Sequence, residues 1–125
     1  MKAQPLICVK DVEASSRWYC ELLGARSGHG GKEYERVTVG DEFVLQLHPW
    51  DAHGHENLGD ANEPVGNGLL LWFQVDDVEA AAQRARSLRA KFVEALHLNT
   101  SANHHEFWVE DPDGYVVVLA GPPLS

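Results

Sequence analysis

Two short runs carry the residue types of a metal or acid–base site: His53-Gly54-His55-Glu56 and His104-His105-Glu106. Imidazole and carboxylate are ordinary ligands of zinc and iron, but they need a rigid scaffold, and the first run lies in a Gly-containing stretch without period. It reads as solvent-exposed loop. His48 closes the alternating segment "EFVLQLHPW" beside Gln46, where an imidazole suits hydrogen bonding to a guest or general-base work near neutral pH. Trp50, Trp72 and Trp108 supply flat π faces that stack planar rings and hold cations, each cation contact being worth about 0.5–2 kcal/mol. Trp18 sits in a helical pattern and reads as structural. There is no Ser-His-Asp order, P-loop, G-x-G-x-x-G or C-x-x-C, and "GHGG" at residues 28 to 31 has no helix after it to form a phosphate cradle.

The elements that must position these side chains come from a repeat. "VKDVEASSRWYCELLGA" at residues 9 to 25 has a counterpart in "VDDVEAAAQRARSLRAK" at residues 75 to 91, with Asp-Val-Glu-Ala shared at Asp11 to Ala14 and Asp77 to Ala80. In each copy the Asp stands at an N-cap and the Glu lies in the first turn, where negative charge meets the positive end of the helix dipole. The spacing predicts helices from Val12 to a stop at Gly24 and from Val78, with stripes Val12, Tyr19, Leu22, Leu23 and Val78, Ala81, Ala82, Ala85, Leu88.

Strand candidates "PLICV" and "GLLLWFQV" precede the helices. Hairpins follow them: "KEYERVTVG" and "EFVLQLHP" around Gly40-Asp41, then "HHEFWVE" and "YVVVLAG" around Asp111-Pro112-Asp113-Gly114. A further strand is expected in each half near residues 25 to 30 and 91 to 96. Each half reads strand, helix, strand, strand, strand. The expected organisation is a single α+β domain over residues 1–125, with a first module at about 4–50, a linker at 51–66 and a second module at about 67–121.

Alternation sorts the strand residues between two faces. Phe43, Leu45 and Leu47 suit the helix side, leaving Val44, Gln46 and His48 on the other, with Trp50 just beyond. Leu69, Leu71, Phe73 and Val75 suit the helix side, leaving Leu70, Trp72 and Gln74. Phe107 and Val109 go to the core, leaving His104, Glu106 and Trp108. The resulting ligand-binding set is Gln46, His48, Trp50, Trp72, Glu106 and Trp108.

A twice-repeated βαβββ unit with a "DVEA…WYCELLG" helix in its first copy and a "DPDGY" hairpin before its last strand resembles the vicinal oxygen chelate superfamily over about residues 4 to 121. That group includes glyoxalase I, extradiol dioxygenases, and fosfomycin and bleomycin resistance proteins. The resemblance implies a curved, cup-like mixed sheet with the helices on its convex side. Metal ligands of the enzymes would fall at Gln4, Gln46, Leu70 and Val118. Two amides, a Leu and a Val do not make a divalent site, so the implied role is that of the metal-free, bleomycin resistance-like branch. On that reading the protein has no cofactor and sequesters an aromatic or cationic compound, including an antibiotic, as a homodimer. The alternative is a divalent-metal lyase or dioxygenase using Gln4, Gln46, His48 and Glu106, or a metal-free enzyme with His48 or Glu106 as base.

Composition is consistent with a folded binding domain: 44% hydrophobic and 23% charged residues supply a core without the bias of a disordered chain. Ten basic against nineteen acidic residues leave a formal charge of -9, the wrong sign for nucleic acid or anionic membrane. Cys8 and Cys20 read as buried thiols of a reduced compartment, and no apolar run is long enough to span a bilayer, so the expected location is the cytoplasm.

Overall fold

A computed structural model describes residues 1–50 and 56–125. The chain divides into two compact units, Met1–Pro64 and Val65–Ser125. Each is a helix on a four-stranded mixed sheet, so the fold is α+β with two βαβββ modules. Of the segment between the modules, residues 51–55 lie outside the described residues, and Glu56–Leu58 form a short 3-10 turn. Among the described residues no helix is long and apolar enough to cross a membrane.

The first unit runs β1 (Leu6–Val9), α1 (Val12–Leu23), β2 (Arg26–Ser27), β3 (Glu35–Val39) and β4 (Glu42–Pro49). The strand order is β1-β4-β3-β2, with β1 parallel to β4 and the remaining pairs antiparallel. Asp11 caps α1 by accepting from the Ala14 N–H at 2.9 Å, and Gly24 ends it at φ 62°. Such caps satisfy backbone groups that a helix end leaves open, the Asp cap being worth about 1 kcal/mol.

The buried stripe of α1 is Val12, Ser15, Ser16, Tyr19 and Leu22. Leu23, expected on it, is only half-buried, and serines take part of its place because α1 covers a carboxylate as well as an apolar face. That carboxylate is Glu35, 2% exposed, which shares strand parity with the fully buried Val37. Its Oε2 accepts from Ser16 at 2.7 Å and Ser27 at 2.6 Å. Its Oε1 accepts from the N–H groups of His29, Gly30 and Arg36 at 2.9 to 3.0 Å. The glycine-rich loop at residues 28 to 31 thus does cradle an anion, the protein's own. Gly30 and Gly31 sit at φ 87° and 104°, the left-handed region open to glycine without strain.

A β-bulge corrects one assignment. The register of β3 with β4 shifts between Val37, opposite Leu45, and Thr38, opposite Phe43, which leaves Val44 as an extra residue. The inserted residue breaks the two-residue alternation, so Phe43 does not follow Leu45 and Leu47 onto the helix face. Instead its ring meets the Arg36 guanidinium.

The second unit runs β5 (Leu70–Gln74), α2 (Val78–Ser87), β6 (Lys91–Asn99), β7 (His104–Glu110) and β8 (Val116–Ala120), in the order β5-β8-β7-β6. Asp77 caps α2 through the Ala80 N–H at 3.0 Å, and Val78, Ala81, Ala82 and Ala85 are buried, while Leu88 is half-buried at the end. At the β7–β8 hairpin, Asp111 Oδ1 accepts from the N–H groups of Asp113, Gly114 and Tyr115 at 2.8 to 2.9 Å, a side-chain-braced turn.

Burial pushes the Glu35 carboxyl up, but the bonds from Ser27, Ser16, Gly30 and Arg36 outweigh it and hold the pKa at about 2, against an ordinary 4.5. A carboxyl depressed on folding stabilises fully above its unfolded value and loses that contribution as pH falls from 4.5 toward 2. The amount is about 3 kcal/mol. Urea denaturation at pH 7, 4 and 3 is expected to show Glu35→Gln destabilised at pH 7 and less sensitive to acid. An unchanged acid dependence in the variant would contradict the assignment.

Candidate functional site

Because α2 covers the Phe107 and Val109 side of its sheet, Trp72 from β5, Val118 from β8 and Trp108 from β7 lie on the opposite side of unit 2. These three are direct neighbours in the register: Trp72 faces Val118 and Val118 faces Trp108. Trp72 is 46% exposed, Leu70 beside it 43%, and Trp108 is half-buried. Val118 is fully buried.

Glu106, 2% exposed, organises this face. Its Oε2 accepts from the Trp108 indole N–H at 2.6 Å, and its Oε1 accepts from Asn99 Nδ2 and His104 Nε2, both at 2.7 Å. The His104 ring meets Trp72 edge-on at 5.9 Å between centroids. Burial pushes the Glu106 carboxyl up, while hydrogen bonds from Trp108, Asn99 and His104 and the neighbouring imidazole bring it below the ordinary range. The group is a fixed negative charge whose oxygens are already taken by donors. That makes it a poor proton acceptor and a poor metal ligand.

Unit 1 arranges its residues differently. Gln46 accepts the Tyr34 hydroxyl proton at Oε1 and donates from Nε2 to the Gln4 carbonyl at 2.9 Å, so both ends of its amide are engaged. His48 follows two positions later on the same strand, half-buried, with Nδ1 2.7 Å from the Pro49 carbonyl. Trp50 stands in the turn after β4, where its ring approaches the Gly59 backbone. Trp18 packs edge-on against Tyr19, a structural contact. His53 and His55 lie outside the described residues.

The positions at which the resemblance puts the metal ligands of the family's enzymes are Gln4, Gln46, Leu70 and Val118, and the residues there do not fit a metal. Gln46 is spent within its own unit, and Leu70 and Val118 carry no donor atom. Among the described residues, no three His, Cys, Asp or Glu side chains gather in a manner that would hold an ion.

A sequence model of the Glyoxalase/Bleomycin resistance protein/Dioxygenase superfamily matches residues 3–119. The chain belongs to that superfamily. Solved structures with the same fold include a glyoxalase-related enzyme from Fulvimarina pelagi, at TM-score 0.77 and 21% identity over 98% of this chain and 88% of that one. A lactoylglutathione lyase from Agrobacterium tumefaciens superposes at TM-score 0.70 and 17% identity over 97% and 92% of the two chains. A fosfomycin resistance protein from Listeria monocytogenes does so at TM-score 0.73 and 10% identity over 99% and 94%. At such identities the likeness extends to the fold. No curated protein matches significantly.

Sequence reasoning had placed His104, Glu106 and Trp108 on one face, and the structure brings them together with Trp72. It had missed Asn99, Tyr34 and Glu35. Glu35 left a trace, a charged residue at a core parity of β3. Asn99 left none, because it reaches Glu106 only through the pairing of β6 with β7, where it lies opposite His104. Glu106→Ala leaves three donors without their acceptor and is expected to cost at least about 2 kcal/mol in urea denaturation. Since the folded carboxyl titrates below its ordinary range, this cost fades as pH falls through that range.

Proposed function

We propose that this superfamily member is a metal-independent binding protein for a planar aromatic cation, held on the Trp72–Val118–Trp108 face of unit 2. The observation that carries the reading is Glu106: a buried, ionised carboxylate bonded to one indole and, through His104, set beside the other. A fixed negative charge next to π faces favours a cation stacked on them over a neutral ring of the same shape. The exposed Trp72 and Leu70 supply apolar area for the flat part of the guest. Gln46, His48 and Trp50, expected from the sequence as ligand contacts, belong to unit 1 and are not part of this face. Sequestration without turnover matches the engaged state of Glu106, and resistance to a cationic aromatic antibiotic is the function such sequestration would serve in a cytoplasmic, homodimeric protein.

Tryptophan fluorescence tests this with N-methylquinolinium and its neutral counterpart quinoline. The cation is expected to quench saturably and to bind more tightly than quinoline, with Trp72→Ala weakening it by about 3- to 30-fold. Equal affinity for the two rings, or no effect of Trp72→Ala, would remove the basis of the proposal. Metal analysis of protein purified without chelator is expected to find no stoichiometric zinc, nickel, manganese or iron; one equivalent of any of them would favour an enzyme with an atypical ligand set.

A further inference from the structure

Arg36 stands on β3 directly opposite Gln46, on the side of the sheet that α1 leaves open. Its guanidinium carbon lies 5.5 Å from the centre of the Tyr34 ring and 5.4 Å from that of Phe43. Arg36 Nε donates to the Tyr34 hydroxyl at 3.3 Å, the hydroxyl donates to Gln46 Oε1, and Gln46 Nε2 donates to the Gln4 carbonyl. Two rings and one directed hydrogen bond therefore orient the guanidinium. What they leave presented is its Nη edge.

Among the described residues no carboxylate comes within ion-pair distance of that edge. In a chain with nineteen acidic and ten basic residues, an oriented arginine without an acidic partner runs against the charge balance. The bulge at Val44 is what brings Phe43 to it, so the seat depends on a specific irregularity of β4.

We propose that Arg36 anchors a carboxylate-binding subsite on the open face of unit 1, independent of the indole face of unit 2. Two coplanar Nη donors match the two oxygens of a carboxylate, and the flanking rings offer apolar contact to a flat group carrying it. Arg26 shares this face, opposite Thr38, but its Nη2 donates to the Gly40 carbonyl at 3.0 Å, whereas among the described residues no such bond draws on the Nη groups of Arg36. At the adjoining hairpin, Asp41 and Glu42 are acidic, and Lys2 is paired with Glu42 at 3.5 Å. These hairpin acids repel a phosphate dianion more than a carboxylate of single charge.

The test is titration of the full chain with benzoate, with benzamide and inorganic phosphate as controls, followed by NMR of the Arg36 Nε–H group. Benzoate is expected to shift that resonance saturably. By isothermal titration, Arg36→Gln is expected to weaken benzoate at least about tenfold, and Arg36→Lys and Tyr34→Phe by about threefold or more, since each loses the fork or its orientation. Far-UV circular dichroism confirms that these exposed-face variants fold. No shift with benzoate, an equal response to benzamide, or unchanged affinity in Arg36→Gln would overturn the subsite. Phosphate binding as tightly as benzoate would overturn the carboxylate assignment.

Discussion

Each four-stranded sheet has one helix, and one helix can cover only one face. The two-residue alternation of the strands then distributes every side chain between a buried side and an open one. On the covered sides lie Val37, Leu45, Leu47, Phe107 and Val109, all without solvent exposure. The polar and aromatic side chains that could meet a ligand are what remains opposite them.

The repeat makes the division informative. The 66-residue offset between the two Asp-Val-Glu-Ala segments sets Leu6 against Trp72, and strand pairing then sets the row Leu6–Gln46–Arg36 of unit 1 against Trp72–Val118–Trp108 of unit 2. One backbone plan thus displays an amide and a cation in one copy, and two indoles in the other. Fold and chemistry have separated within a single chain.

Two buried carboxylates show the same separation. Glu35 lies on the covered side and ties α1, β2, β3 and the loop between the strands through five donors. Glu106 lies on the open side and orients Trp108, Asn99 and His104. Both are kept ionised because charge-assisted hydrogen bonds outweigh the cost of burial. The first is structural, and the second sets the electrostatics of the face on which the proposed guest would rest.

The amino-acid sequence by itself determined the element order, the helix caps at Asp11, Gly24 and Asp77, the hairpins at Gly40 and Asp111–Gly114, and the faces of His104, Glu106 and Trp108. All of these follow from period, turn chemistry and caps, which act over a few residues. Only the tertiary structure decided that Phe43 leaves the helix face, that Asn99 and His104 converge on Glu106, that the glycine loop serves Glu35, and that Arg36 is seated on two rings. Those outcomes depend on strand register and on a single inserted residue. The partners lie only two to eight residues apart, but which of them meet is set by the register across a hairpin or by the path of a loop, and the period of a single strand does not record that.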